Sequence, residues 1–212
     1  MLLRTCVSAM LSAALVVLAA PSHAADPVDL LFYTPHLAET DPTLQLRYRH
    51  TREGAIDAVL GPRVDQAILL RQEAAGDDFE TVVTLDADGA GRQLDRFRGV
   101  PGNPILMVFL ETIVTSISRA TGGSPFYIRN RLKEAFANGS VTAGEAGDTI
   151  RLAPFADDRN RHRMGPFADL EIEMTLAKSR PGMFGALTAR AQDAANPALL
   201  HYLEEVRYVE AN

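Results

Sequence analysis

Cysteine is almost absent from this sequence, since Cys6 is the only one among 212 residues. A chain with a single thiol cannot form an internal disulfide, and it cannot supply the several cysteines of a structural zinc site. Neither disulfides nor a cysteine-bound metal can therefore stabilise the fold. Its stability must come from a hydrophobic core.

Lysine is also scarce, because only Lys133 and Lys178 contribute to the 21 basic residues, and the rest are arginine. Together with abundant alanine, this usage is typical of a GC-rich bacterial genome. Acidic residues number 27, which gives a formal net charge of -6. Nucleic-acid binding needs a basic surface that neutralises phosphates, so the charge argues against it. It also argues against attraction to anionic membrane surfaces.

Motifs with a chemically specific spacing are missing as well. The sequence has no H-E-x-x-H, no P-loop, no G-x-G-x-x-G and no G-x-S-x-G. Histidines are scattered along it, and the stretch 86–91 lacks the acidic spacing of a calcium loop. We therefore predict neither a metal nor a cofactor, name no catalytic residue, and favour a non-enzymatic protein.

An export signal is the clearest feature that is present. Arg4 precedes an apolar stretch over 7–20, and the small residues Ser22 and Ala24 fit the small-x-small rule of signal peptidase. We predict that residues 1–24 are a cleaved signal peptide and that the protein is periplasmic. The apolar stretch is shorter than the roughly 20 residues of a spanning helix, so we expect no membrane anchor.

The remaining residues, 25–212, are ample for one hydrophobic core and few for two. They contain no internal repeat and no long linker rich in proline, glycine and serine. We therefore predict a single domain over 25–212.

Alternating apolar and polar residues predict several strands. Leu46 and Tyr48 alternate with Arg47 and Arg49, which is the period of a half-buried strand, and we interpret Arg47, Arg49 and Arg52 as its outward face. Similar patterns predict further strands over 64–73, 79–85, 92–98, 150–152, 170–176, 187–191 and 202–210. We expect the segment 26–42, which is broken by prolines, to be an irregular arm or a short strand.

Two helices are predicted between these groups of strands. Asn103 and Pro104 are typical of a helix start, and Gly122 is typical of a helix end. A second helix is predicted from Pro125 to about Asn138. The order of strands, helix pair and strands predicts an α+β fold, in which a helical hairpin packs on one face of an antiparallel sheet that is flat or curved like a half-barrel.

The first helix, 104–120, is unusually apolar, because apolar side chains cover more than half of its circumference. It either forms the centre of the core or lies beside an apolar ligand. In the second case the ligand-binding residues are Met107, Phe109, Ile113 and Ile117. Glu111 lies on the polar arc of this helix, where we expect it to pair with Arg119 or with an arginine of a strand, or simply to lie at the rim of the arc.

The densest polar stretch is the loop over 157–163. Its arginines Arg159, Arg161 and Arg163 would repel a metal cation but could contact an anion such as a phosphate or a lipid headgroup. The alternative interpretation is a solvated loop without a ligand.

Three functions remain open from the sequence. The first is a periplasmic protein that holds an apolar or amphipathic, lipid-like ligand between its sheet and the helix 104–120. The second is a periplasmic accessory protein that binds other proteins and has no small-molecule ligand. The third is an enzyme of a type that the motifs do not reveal.

Overall fold

The computed structural model of the chain describes residues 26–38, 40–76, 78–87, 89–145, 147–178, 183–193, 195–196 and 198–211, with only the backbone described at 210 and 211. The predicted signal peptide and its cleavage site lie outside the described residues. No helix in the described part of the chain is both long enough and apolar enough to cross a membrane.

One open antiparallel sheet organises the molecule. Within the described residues its strands are β1 (Gln45–Glu53), β2 (Val64–Ala75), β3 (Asp78–Ala87), β4 (Ala90–Arg98), β5 (Ser140–Thr142), β6 (Thr149–Leu152), β7 (Glu171–Leu176), β8 (Phe184–Gln192) and β9 (Leu200–Ala211). Their order is β4-β3-β2-β1-β9-β8-β7-β6-β5. The last strand therefore lies between β1 and β8 and joins the two halves of the sheet.

The helices are α1 (Asp57–Leu60), α2 (Ile105–Thr121) and α3 (Pro125–Ala137). The side-chain oxygen of Asn103 accepts a hydrogen bond from the Ile105 amide at 3.1 Å, and Gly122 ends α2 in the left-handed conformation with φ of 69°. Helices α2 and α3 follow each other directly and contact each other. The predicted α+β fold, with a helical hairpin against an antiparallel sheet, is confirmed.

The core lies between the helical hairpin and one face of the sheet, which we call the inner face. Helix α2 buries Phe109, Ile113 and Ile117 completely, and α3 contributes Ile128 and Leu132. The sheet supplies the alternate residues of its central strands, among them Ile68, Leu70, Ile172, Met174, Leu187 and Val206. The opposite face of the sheet carries ion pairs such as Arg49–Asp65 at 2.6 Å and Arg151–Glu173 at 2.7 Å.

The N-terminal segment packs against the start of α2. It forms a π-helical turn, Asp29–Tyr33, where the sequence predicted an irregular arm or a short strand. Leu31 is fully buried, and His36 accepts a hydrogen bond from the Asn103 amide at 3.1 Å. Burial lowers the pKa of His36, which is therefore neutral and donates its other ring proton to the Leu30 carbonyl at 2.7 Å. These tertiary contacts stabilise the π-helical turn. The alternation of apolar and polar residues along the segment does not predict them.

One predicted orientation is wrong. Arg47 and Arg49 point away from the core as expected, but Arg52 has only 12% of its side chain exposed. The reason is the period of two: Arg52 stands an even number of residues after Tyr48 and His50, so it shares their inward side. The triplet therefore spans both faces of β1.

Candidate binding cleft

A cleft of about 620 Å³ lies between α2 and the inner face of β1, β2 and β9. Its helical wall is formed by Met107, Val108, Glu111, Thr112, Thr115, Ser116 and Arg119. The sheet and α1 contribute His50, Arg52, Leu60, Val64, Gln66 and Glu204. Leu94, Asp95 and Phe97 of the edge strand β4 form the remaining wall.

The floor of the cleft is polar, although it occupies core positions of the sheet. The ring nitrogen Nε2 of His50 lies 2.7 Å from Oε1 of Glu204, and Nδ1 of the same ring lies 3.0 Å from the amide nitrogen of Gln66. His50 is 5% exposed and Glu204 is 1% exposed. His50 and Gln66 are direct partners across β1 and β2, whereas Glu204 comes from β9 on the other side of β1.

A chain of hydrogen bonds connects this floor to α2. The hydroxyl of Tyr202 donates to Oε2 of Glu204, and Ser116 of α2 hydrogen-bonds to Tyr202. Burial, reinforced by the Glu204 charge, raises the pKa of Tyr202 well above its ordinary value, so the hydroxyl keeps the proton that it donates. Because that proton is used for Glu204, Ser116 is the donor in its contact with Tyr202. Both oxygens of the carboxylate thus have a protein donor.

These contacts limit the chemistry that the cleft can perform. Both ring nitrogens of His50 are engaged, and a general base needs a free nitrogen within reach of the proton that it removes. Ser116 contacts Tyr202, so no described contact joins a hydroxyl nucleophile to His50. Among the described contacts, the floor therefore presents neither a free imidazole nitrogen on His50 nor a hydroxyl hydrogen-bonded to it.

Arg52 is the second polar feature of the sheet wall. Its Nη2 donates to the carbonyl oxygens of Gly61 at 3.0 Å and of Pro62 at 2.7 Å. Its Nε lies 3.7 Å from Oδ1 of Asp57, and neither of these two buried atoms has a hydrogen-bond partner. The guanidinium is therefore fixed in position by the turn after α1, and its charge faces the Asp57 carboxylate.

Glu111 pairs with a different residue from those expected. Its carboxylate contacts Nη2 of Arg129 at 2.7 Å, so the expectation of a pair with Arg119 or with a strand arginine is wrong. The partner lies on α3, and only the packing of the two helices brings it within reach. Arg119 lines the cleft and makes no ion pair with any described residue.

Apolar side chains form much of the remaining wall, beside the polar residues of α2 and Asp95. Leu94 and Phe97 face it from β4, Leu60 and Val64 from the sheet side, and Val108 from α2. Met107, with 44% of its surface exposed, adds an apolar side chain to the lining. A polar floor with apolar walls matches a molecule that has both a polar group and an apolar body.

The structure places the predicted ligand-binding residues in two environments. Met107 lines the cleft, whereas Phe109, Ile113 and Ile117 are fully buried in the core of the domain. The helical residues at the cleft that the sequence analysis did not name as candidates include Thr112 and Ser116. Thr112 lies next to the polar arc of α2, which faces the cleft, whereas Ser116 is buried on the adjoining side of the helix.

The polar floor was also missed, although a signal for it exists. Each residue of the floor lies two positions from a buried residue of its own strand, so its side chain points to the same inner face. The pairs are His50 with Tyr48, Gln66 with Ile68, and Glu204 with Val206. A polar residue that interrupts the apolar side of a strand pattern is the sequence signature of such a site. The pattern of one strand does not show that the polar residues of three strands lie next to each other in the sheet.

The three loop arginines do not share one environment. Arg161 pairs with Asp169, whereas Arg163 lines a second cleft of about 690 Å³ at the junction of α2 and α3. Arg159 is exposed and has no ion-pair partner among the described residues. The neighbouring Asp158 is buried and accepts a hydrogen bond from Tyr127 at 2.6 Å. An anion contact at this loop stays a prediction.

No metal centre is visible in the part of the chain that the structure describes, where no three His, Cys, Asp or Glu side chains come together. Comparison with known proteins adds no assignment, because no protein-family model matches the chain and no curated protein matches its sequence.

Proposed function

We propose that this protein is an exported, non-enzymatic periplasmic protein that binds an amphipathic small molecule in the cleft between α2 and the sheet. The observation that carries this proposal is the buried polar floor. His50 and Glu204 are buried at core positions where apolar side chains would pack well, and the half-buried Gln66 lies beside them at the cleft. Even a hydrogen-bonded set of buried polar groups contributes little stability compared with well-packed apolar side chains, so a role in recognition accounts for this floor better than stability does.

The volume of the cleft is consistent with this role. Small-molecule pockets usually measure about 300–1,000 Å³ and combine apolar walls with a few convergent polar groups. The cleft has about 620 Å³, with Leu94, Phe97 and Val108 among its apolar walls. An amphipathic ligand would place its apolar body there and its polar group on the floor.

Ligand binding is tested by blocking the cleft. Thr115 is an exposed residue of α2 that lines the cleft, so Thr115→Trp should fill part of it without disturbing the core. We expect the variant to bind the uncharged fluorescent probe N-phenyl-1-naphthylamine at least about tenfold more weakly than the wild type, a loss of about 1.4 kcal/mol. Fluorescence titration of the purified protein measures this affinity.

The matched control is Lys133→Trp, which adds the same side chain to the exposed face of α3 away from the cleft. It should leave probe affinity unchanged. Equal affinities for all three proteins, or no binding by the wild type, would contradict the proposal and favour the accessory-protein alternative. Native mass spectrometry of protein purified from its own host would then show whether any small molecule accompanies it.

The export part of the proposal has its own test. We expect the mature chain from the periplasmic fraction to begin at Ala25 or Asp26, because signal peptidase cuts after a small-x-small pattern. N-terminal sequencing determines this residue. Recovery of a chain that still begins with Met1 in the membrane fraction would show that the apolar stretch acts as an anchor.

A further inference from the structure

We infer that the ligand's polar group is uncharged, of the hydroxyl or amide type, because each buried charge beside the cleft already faces an opposite charge or a hydrogen-bond partner within the protein. This inference depends on the proposed function, since it names the chemistry of the group that reaches the floor.

The negative charge on the floor is enclosed. Oε1 of Glu204 contacts His50, Oε2 accepts the Tyr202 proton, and only 2% of the Glu204 side chain is exposed. A cationic group in the cleft could not replace these donors without breaking the hydrogen bonds that fix the floor. The cationic group would also lose its hydrating water without gaining hydrogen bonds of comparable strength.

The positive charge on the sheet wall is compensated by a nearby carboxylate, although Nε of Arg52 has no hydrogen-bond partner among the described residues. Arg52 donates through Nη2 to two carbonyl oxygens, and its Nε faces the Asp57 carboxylate at 3.7 Å. An anionic group near Arg52 would also meet Asp57 and Glu204, and the repulsion from these two carboxylates would offset the attraction. The Glu111 charge is paired with Arg129 on α3.

The unpaired charges at the cleft are Arg119 and Asp95, both exposed. They have opposite signs and lie in contact with water, so they give the cleft no net preference for an anion or a cation. Two groups remain that suit a neutral partner. The Thr115 hydroxyl is exposed on the wall, and Gln66 contacts His50 only through its amide nitrogen, so its side-chain carbonyl oxygen can accept a hydrogen bond from a ligand. These groups can accept from and donate to a hydroxyl or an amide.

The test compares the affinities of four eight-carbon compounds that differ in their polar head group. 1-Octanol and octanamide are neutral, whereas octanoate and octylammonium are charged. We expect both neutral probes to bind the wild-type protein at least about tenfold more tightly than either charged probe at pH 7, because a charged head loses hydration without gaining a partner. Isothermal titration calorimetry measures all four affinities. Tighter or equal binding of octanoate or octylammonium would overturn the inference and leave the binding function standing, whereas no binding of any octyl probe would contradict the proposed function itself.

A charge variant gives a second, independent readout. Asp57→Asn removes the carboxylate opposite Arg52, so we expect octanoate to gain about tenfold in affinity while 1-octanol is unchanged. Asp95→Asn is the matched control, because it removes the same charge from the cleft but leaves the Arg52–Asp57 pair intact. Its effect on octanoate should be small, since Asp95 is exposed. An unchanged octanoate affinity in Asp57→Asn, or an equal gain in both variants, would show that the Arg52–Asp57 pair does not control selectivity.

Discussion

Ile172→Asp is expected to lower the free energy of unfolding by several kcal/mol or to prevent folding altogether. Ile172 is 1% exposed on the inner face of β7, where its neighbours across the sheet are Leu152 and Ala189. A carboxylate at this position would have no partner, and burial of an unpaired charge costs several kcal/mol. Urea denaturation followed by circular dichroism measures the change.

The control is the next residue of the same strand. Glu173 lies on the opposite face with 44% of its side chain exposed, and its ion pair with Arg151 is a surface contact. We expect Glu173→Ala to change stability by no more than about 0.5 kcal/mol. If Ile172→Asp does not fold, Ile172→Val keeps the test open with an expected loss of about 0.5–1.5 kcal/mol. Similar losses for Ile172→Val and Glu173→Ala would contradict the register of β7.

The second large effect is expected at the centre of α2. Phe109 and Ile113 are fully buried in the core, so Phe109→Ala should cost about 3–5 kcal/mol and Ile113→Ala about 2–5 kcal/mol in the ligand-free protein. Each truncation removes apolar contacts and leaves a cavity that the surrounding side chains only partly fill. Met107→Ala is the matched control on the same helix, and because Met107 is 44% exposed its loss should stay below about 1 kcal/mol.

This series also separates the two interpretations of the apolar helix. If Phe109 and Ile113 contact a ligand, truncation should cost the free protein less, and the larger loss should appear in the stabilisation that a ligand provides. Unfolding is therefore measured with and without an extract of host lipids. Full core losses in the free protein would count against a ligand at these two residues. No shift of the wild-type unfolding by the extract would count against a lipid ligand at any site, including the cleft.

Local sequence patterns were sufficient to predict most of the longer elements of the fold. The alternation around Ile172 places β7, and Asn103 and Gly122 mark the ends of α2 within two residues. These signals are local because a strand repeats every two residues and a helix cap involves adjacent backbone groups. The short strand β5, Ser140–Thr142, was missed because three residues are too few to show a period.

Patterns were less informative where two elements meet. The sequence did not show which element the polar arc of α2 faces, and the pairing of Glu111 with Arg129 could not be read from either helix alone. Arg52 was assigned to the outer face because it resembles Arg47 and Arg49 in type, although its parity is opposite. In the first two cases the neighbouring element determines the environment, whereas the inward position of Arg52 follows from the period of its own strand.

The sequence by itself determined the α+β composition of the domain, the position of the helical hairpin between two groups of strands and the apolar character of α2, because all of these follow from short-range periodicity. Only the tertiary structure decided that β9 lies between β1 and β8. That pairing brings Glu204 to His50 across 154 positions of the chain and creates the polar floor under α2. Such convergence depends on strand order, which arises from the burial of the whole inner face and which no single strand encodes.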